Sequence, residues 1–110
     1  MGRIRIFYLD DEEELLAIFQ ETFESDRHEI RTFSSPNDLI LEVAKNPPSL
    51  IFLDYRLPST TGLEVAKLLP DSIPKILITG DLNISGASGF QEILTKPFSI
   101  SEIQKILDQL

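Results

Sequence analysis

An α/β fold is predicted from the sequence: a doubly wound five-stranded parallel sheet in the order 2-1-3-4-5, with a short or degenerate fourth helix. Three observations lead there. Strand-like and helix-like stretches alternate along the chain, which implies parallel strands joined by right-handed crossovers, with helices on both faces. The stretch LIFL at 50–53 is apolar without interruption, as suits a central strand covered on both sides. Finally, 110 residues, 42% hydrophobic and 25% charged, make one ordinary domain spanning 1–110. Such a chain buries about two-thirds of the surface exposed when unfolded, so its core needs no staples.

The first element is IRIFYL (4–9), rich in β-branched and aromatic residues and therefore a strand. Leu15, Ile18, Phe19, Thr22 and Phe23 then recur at helical spacing and predict an amphipathic helix over about 12–25. Residues 28–33 alternate as a second strand. Ser35, Pro36 and Asp38 supply an N-cap, a first-turn proline and an acid at the third helical position; Leu39, Ile40, Val43 and Ala44 form the buried stripe, and Pro47 and Pro48 stop the helix after Asn46. LIFL leads to Asp54, followed by a turn and a short helix at about 63–69 that ends at Pro70. KILIT (75–79) and EILT (92–95) are the last two strands. Ser99 and Glu102 form a capping box for a final helix with Ile100, Ile103, Ile106, Leu107 and Leu110 on its apolar face. The sixteen residues between Thr79 and Lys96 hold Gly80, Gly86 and Gly89, three of the five glycines. Each interior glycine costs a helix about 1 kcal/mol against alanine, so no long helix is expected there.

Composition excludes several function classes. With no cysteine there is neither a disulfide nor a thiolate metal site. No apolar run approaches the roughly 20 residues of a spanning helix, and no signal-peptide core follows Met1, so a soluble cytoplasmic protein without membrane contact is expected. Ten basic residues against eighteen acidic ones give a net charge of −8, which repels phosphate backbones and disfavours direct nucleic-acid binding. The acids are unevenly placed: nine precede Ile30, and five run consecutively from Asp10 to Glu14.

In an open parallel sheet, ligands bind beyond the carboxyl ends of the strands, where the strand order reverses. At those ends stand Asp10 and Asp11, Asp54, Thr79 and Lys96. Three carboxylates within a few ångströms of one another cannot all ionise without a counter-charge. Hard oxygen donors, few in number, favour Mg²⁺, and neither a cysteine nor a second histidine offers softer ligation. A carboxylate beside Mg²⁺ can attack a phosphoryl group and become an aspartyl phosphate, with a lysine and a hydroxyl stabilising the transferring oxygens. Asp54, Lys96 and Thr79 suit those parts.

At these residues the sequence resembles the receiver domains of two-component response regulators. The resemblance covers almost the whole chain: the paired acids of LDDEEELL, DYRLPSTTG with Asp54, Pro58 and Gly62, ITGD with Thr79 and Gly80, and LTKPF with Lys96 and Pro97. It implies a flavodoxin-like receiver fold in which Asp54 is the phosphoacceptor and Mg²⁺ is held by Asp10, Asp11, Asp54 and the backbone carbonyl of Arg56. It implies further that Thr79, Gly80 and Lys96 line the phosphoryl group and switch with it, and that the Lys96-Pro97 bond is cis. Arg56 and Asp81, two residues after Asp54 and Thr79, would flank the site as modulators and could pair across its mouth. A histidine kinase or phosphotransfer protein would supply the phosphoryl group, an unidentified downstream protein would read the result, and no separate substrate would be turned over. The chain departs from the family in two places: Ile93 stands at the switch position, three before the lysine, where an aromatic is usual, and the fourth helix is shortened or lost in DLNISGASGFQ.

Single residues also have ordinary explanations. Glu12, Glu13 and Glu14 suit the first turn of a helix, where acids favour the positive end of its dipole. His28, at the start of the second strand, is expected to be exposed or half-exposed and without a role. Phosphorylation-dependent switching competes with a constitutive interaction module of the same fold, which Ile93 and the degenerate helix motivate. An aspartyl-nucleophile phosphatase usually carries an acid two residues after its nucleophile, where this chain has Arg56. A flavin site needs a hydroxyl- and glycine-rich phosphate loop after the first strand, where DDEEE stands instead.

Overall fold

A computed structural model describes residues 2–81, 84, 86 and 88–110. Five strands, β1 (Ile4–Leu9), β2 (His28–Phe33), β3 (Leu50–Asp54), β4 (Lys75–Thr79) and β5 (Glu92–Thr95), pair in parallel in the order β2-β1-β3-β4-β5. The order therefore reverses between β1 and β3. Every residue of β3 and β4 is buried, as the apolar runs LIFL and KILIT require of central strands.

Alternation along the strands sorts the core into two layers. Ile6, Tyr8, Phe52 and Ile78 face α1 (Glu13–Phe23) and α4 (Ile100–Asp108), whereas Phe7, Leu9, Ile51 and Leu53 face α2 (Pro36–Lys45) and α3 (Gly62–Ala66). In the first layer the Phe19 ring lies 4.6 Å from Tyr8, 4.9 Å from Phe23 and 5.2 Å from Phe52, centroid to centroid. A phenylalanine so enclosed is worth about 3–5 kcal/mol against alanine.

Local chemistry sets the helix ends. Ser35 accepts from the Asp38 N–H, Thr61 from the Glu64 N–H, and Ser99 and Glu102 satisfy each other's backbone donors in a full capping box. α1 is shorter than expected at both ends. Glu12 is its N-cap without a side-chain cap, and the Glu12 N–H is held by Asp10 Oδ1 at 2.9 Å. The helix expected over 63–69 stops at Ala66, after which Leu68 and Leu69 donate to Val65 and Ala66 in tighter, three-residue turns. Among the described residues no helix lies between β4 and β5; Leu82, Asn83, Ser85 and Ala87, part of the segment expected to carry a short helix, lie outside the described residues.

His28 corrects an expectation: it is buried, with 4% exposure. It shares the strand parity of Ile30 and so faces α1, and the α1–β2 turn closes on it. The His28 N–H donates to Ser25 Oγ at 3.1 Å, and that oxygen lies 3.3 Å from Nδ1. The loop after β3 folds back so closely that a Cβ on Gly62 would stand 2.5 Å from the Asp54 carbonyl oxygen, so only glycine fits. No described helix is long and apolar enough to cross a membrane.

Candidate functional site

The reversal between β1 and β3 opens a cleft at the carboxyl ends of the strands. Asp10 follows β1, and its N–H continues the ladder by donating to the Phe33 carbonyl at 3.0 Å. Asp54 closes β3, Thr79 closes β4, and the Lys96 N–H donates to the Thr79 carbonyl at 2.8 Å just beyond β5. The backbone thus delivers each side chain to one place. Asp10, Asp11 and Asp54 each offer a carboxylate oxygen, all within 4.8 Å of one another. Asp10 and Asp54 are buried and Asp11 is exposed. Lys96 Nζ lies 3.0 Å from Asp54 Oδ1 and 3.2 Å from Asp10 Oδ2.

A cavity of about 390 Å³ opens over this cluster, lined by Asp11, Glu12, Asp54, Arg56, Thr79, Gly80, Asp81 and Lys96. Thr79 is buried, its hydroxyl accepting from the Asp81 N–H at 2.9 Å. A side chain at Gly80 would meet open space. Across the mouth, Arg56 Nε and Nη2 fork onto Asp81 Oδ2 and Oδ1 at 2.9 and 3.2 Å. The Lys96-Pro97 peptide is cis. Ile93 lies apart from the cavity lining, 46% exposed on β5.

Electrostatics follow from this packing. Burial pushes the Asp54 carboxyl up, the hydrogen bond with Lys96 pulls it back and the charge of Asp10 raises it again, to about 6. Burial alone would lower the Lys96 pKa, but its bonds and charge interactions with Asp54 and Asp10 outweigh that and raise it. Three carboxylates around one ammonium leave uncompensated negative charge, and the all-oxygen donor set fits a small hard cation of the Mg²⁺ class.

Two neighbours of the cluster, Glu12 within LDDEEELL and Tyr8 just before it, are not among the site residues expected from the sequence. Glu12, assigned to the helix dipole on sequence, instead reaches Lys96, with Oε1 3.5 Å from Nζ. Tyr8 donates its hydroxyl to Asp10 Oδ2. Burial, then that bond and the Asp10 charge, push the Tyr8 pKa upward, so the phenol remains a donor. The signal for Tyr8 was its spacing: residues two apart on a strand share a face.

Residues 6–108 match the model of the response regulator receiver domain, and the chain belongs to that family of phosphoacceptor signalling modules, which are not enzymes. It is 32% identical over 106 residues to the polar-differentiation response regulator DivK of Brucella ovis, covering 86% of this chain and 85% of that one. It is 29% identical to the alkaline phosphatase synthesis transcriptional regulatory protein PhoP of Bacillus subtilis, covering 90% of this chain and 45% of that protein, so it spans about half the length of such relatives. Among solved structures, a CheY-like receiver domain from Methylobacillus flagellatus superposes with a TM-score of 0.84 over 98% of both chains, at 21% identity. The family implies a histidine kinase or phosphotransfer protein as partner.

Proposed function

We propose that this chain is a cytoplasmic phosphorylation switch in which Asp54 takes a phosphoryl group from the phosphohistidine of a partner kinase or phosphotransfer protein. The observation that carries the reading is Lys96 Nζ bridging the buried carboxylates of Asp54 and Asp10 beneath an open cavity. At neutral pH an Asp54 with a pKa of about 6 is mostly ionised and hence nucleophilic. A lone pair of its carboxylate forms the new O–P bond, the P–N bond of the donor breaks, and its electron pair stays on the imidazole nitrogen. Mg²⁺, held by Asp10, Asp11, Asp54 and the Arg56 carbonyl, would supply charge neutralisation. Lys96 moves with the phosphoryl oxygens, and the Thr79 hydroxyl turns to donate to them. Gly80 leaves room for that turn, and the Arg56–Asp81 fork restricts the approach of water and lengthens the phosphorylated lifetime. The altered surface is read by a downstream protein; the net charge of −8 argues against nucleic acid.

A second reading, a constitutive interaction module, draws on Ile93, which offers the cleft no aromatic side chain. Intact mass after incubation with a small phosphodonor, with and without Mg²⁺, on the parent and on Asp54→Ala tests the first reading. One base-labile phosphoryl group that needs both Mg²⁺ and Asp54 is expected, with altered amide exchange over 81–98. No gain even from a phosphorylated kinase would overturn it; gain without altered exchange or partner affinity would leave the constitutive module.

A further inference from the structure

Tyr8 lies inside the sheet, and neither its position nor its residue type belongs to the motifs of the acidic site. Its hydroxyl nevertheless donates to Asp10 Oδ2, the oxygen that Lys96 Nζ approaches at 3.2 Å, while Asp10 Oδ1 accepts the Glu12 N–H at 2.9 Å. A carboxylate oxygen has two lone pairs, so Tyr8 and Lys96 together fill Oδ2, and Oδ1 keeps one free. Both Tyr8 and Asp10 are fully buried. The Tyr8 ring is fixed by Phe19 at 4.6 Å, Phe98 at 6.4 Å and Phe52 at 6.5 Å, so its hydroxyl cannot swing away from Asp10.

We propose that Tyr8 is a positioning residue for phosphoryl acceptance: its hydroxyl holds the buried charge of Asp10 so that Lys96 can leave Asp10 for the oxygens of the phosphoryl group on Asp54. This rests on the reading of Asp54 as phosphoacceptor. A buried carboxylate that gives up the Lys96 ammonium while keeping two protein donors, the phenol and the Glu12 amide, is far better satisfied than one keeping a single donor. With phenylalanine at position 8, Asp10 depends on Lys96 and holds it back. The rate of acceptance then falls, whereas the carboxylate oxygens that face the cation keep their places.

The chain has two tyrosines, Tyr8 and Tyr55, so ¹³C labelling at the tyrosine Cζ gives two signals, and the Tyr8→Phe spectrum identifies the first. In the parent, the Tyr8 signal is expected to move on saturation with Mg²⁺ alone and again on phosphorylation with acetyl phosphate. In Tyr8→Phe, compared where both proteins are fully folded, the rate constant at saturating Mg²⁺ is expected to fall about tenfold, the scale of one hydrogen bond to a charged group. The half-saturating Mg²⁺ concentration should stay close to that of the parent. Equal rate constants, or a Tyr8 signal indifferent to both additions, would overturn the proposal while leaving Asp54 as acceptor. A parent that takes no phosphoryl group from acetyl phosphate or a phosphorylated kinase would overturn both. If that variant fails to fold, Tyr55→Phe assigns the two signals instead, and a Tyr8 signal indifferent to both additions overturns the proposal without it.

Discussion

Two clusters of charged side chains differ in how their charges are matched. Along the β2 edge, Arg31 reaches Glu29 and Glu42 at 2.6 Å each, Asn46 adds a 2.8 Å bond to Glu42, and Arg5 lies 3.6 Å from Glu29. Two arginines meet two glutamates, and both carboxyls are held below their usual range, Glu29 first by its hydrogen bond from Arg31 and Glu42 first by that from Asn46. At the carboxyl ends of the strands, Asp10, Glu12 and Asp54 share the single ammonium of Lys96, Asp11 adds a further carboxylate beside Asp10 and Asp54, and the Asp54 pKa rises. A matched network has no use for a ligand. An excess of buried negative charge is an unfavourable arrangement that a cation relieves, and it marks where chemistry is placed.

The largest effect should come from removing the one cation of the unmatched cluster. Lys96→Ala is expected to slow phosphoryl acceptance by at least about 100-fold, as loss of a transition-state donor does. It should also cost about 2–4 kcal/mol of stability, less than a fully buried pair because Lys96 is 20% exposed, with Mg²⁺ restoring part of the loss in thermal melts. The second test is pH. Folding raises the Asp54 pKa from 3.8 to about 6, so the folded chain holds that proton more tightly than the unfolded one. Stability therefore falls as pH rises between those values, and the cost is complete above about 6. Asp54→Asn should raise stability by about 1–3 kcal/mol at pH 7.5 and leave it unchanged at pH 3. In the parent, acceptance should fall about tenfold per pH unit below the pKa of Asp54 with Mg²⁺ bound, which the cation holds below that of the metal-free protein.

Smaller effects are expected where charges are already matched. Arg56→Ala and Asp81→Ala should each shorten the phosphorylated lifetime a few-fold without lowering the melting temperature; lifetimes equal to that of the parent would remove the fork from the mechanism. Arg31→Ala should change stability by under about 1 kcal/mol, its side chain being 38% exposed, and should leave acceptance untouched. Slower acceptance in that variant would break the contrast between the clusters.

Strand positions and the strand-end residues were legible because both depend on short-range pattern: apolar runs declare the strands, and parallel pairing then fixes where Asp10, Asp54, Thr79 and Lys96 emerge. What escaped depends on where side chains reach. Glu12 meets Lys96 across 84 positions of chain. Tyr8 reads as one more aromatic in an apolar strand, although its parity with Asp10 was available. His28 was misjudged because its burial depends on the α1–β2 turn closing over it, which no periodicity announces. The shortened ends of α1 and α3 reflect local backbone bonding, which apolar spacing does not report.

The loop that follows β3 is stitched at three levels: Gly62 donates to Tyr55 at 2.8 Å, Leu57 to Thr60 at 3.2 Å, and Arg56 bridges Thr61. Since the Gly62 backbone rests directly against the Asp54 carbonyl, the number of residues in this loop is itself a determinant of where Asp54 sits. An insertion or deletion between Tyr55 and Gly62 would misplace the acceptor without touching it, so drift in loop length among related sequences should be confined to other connections.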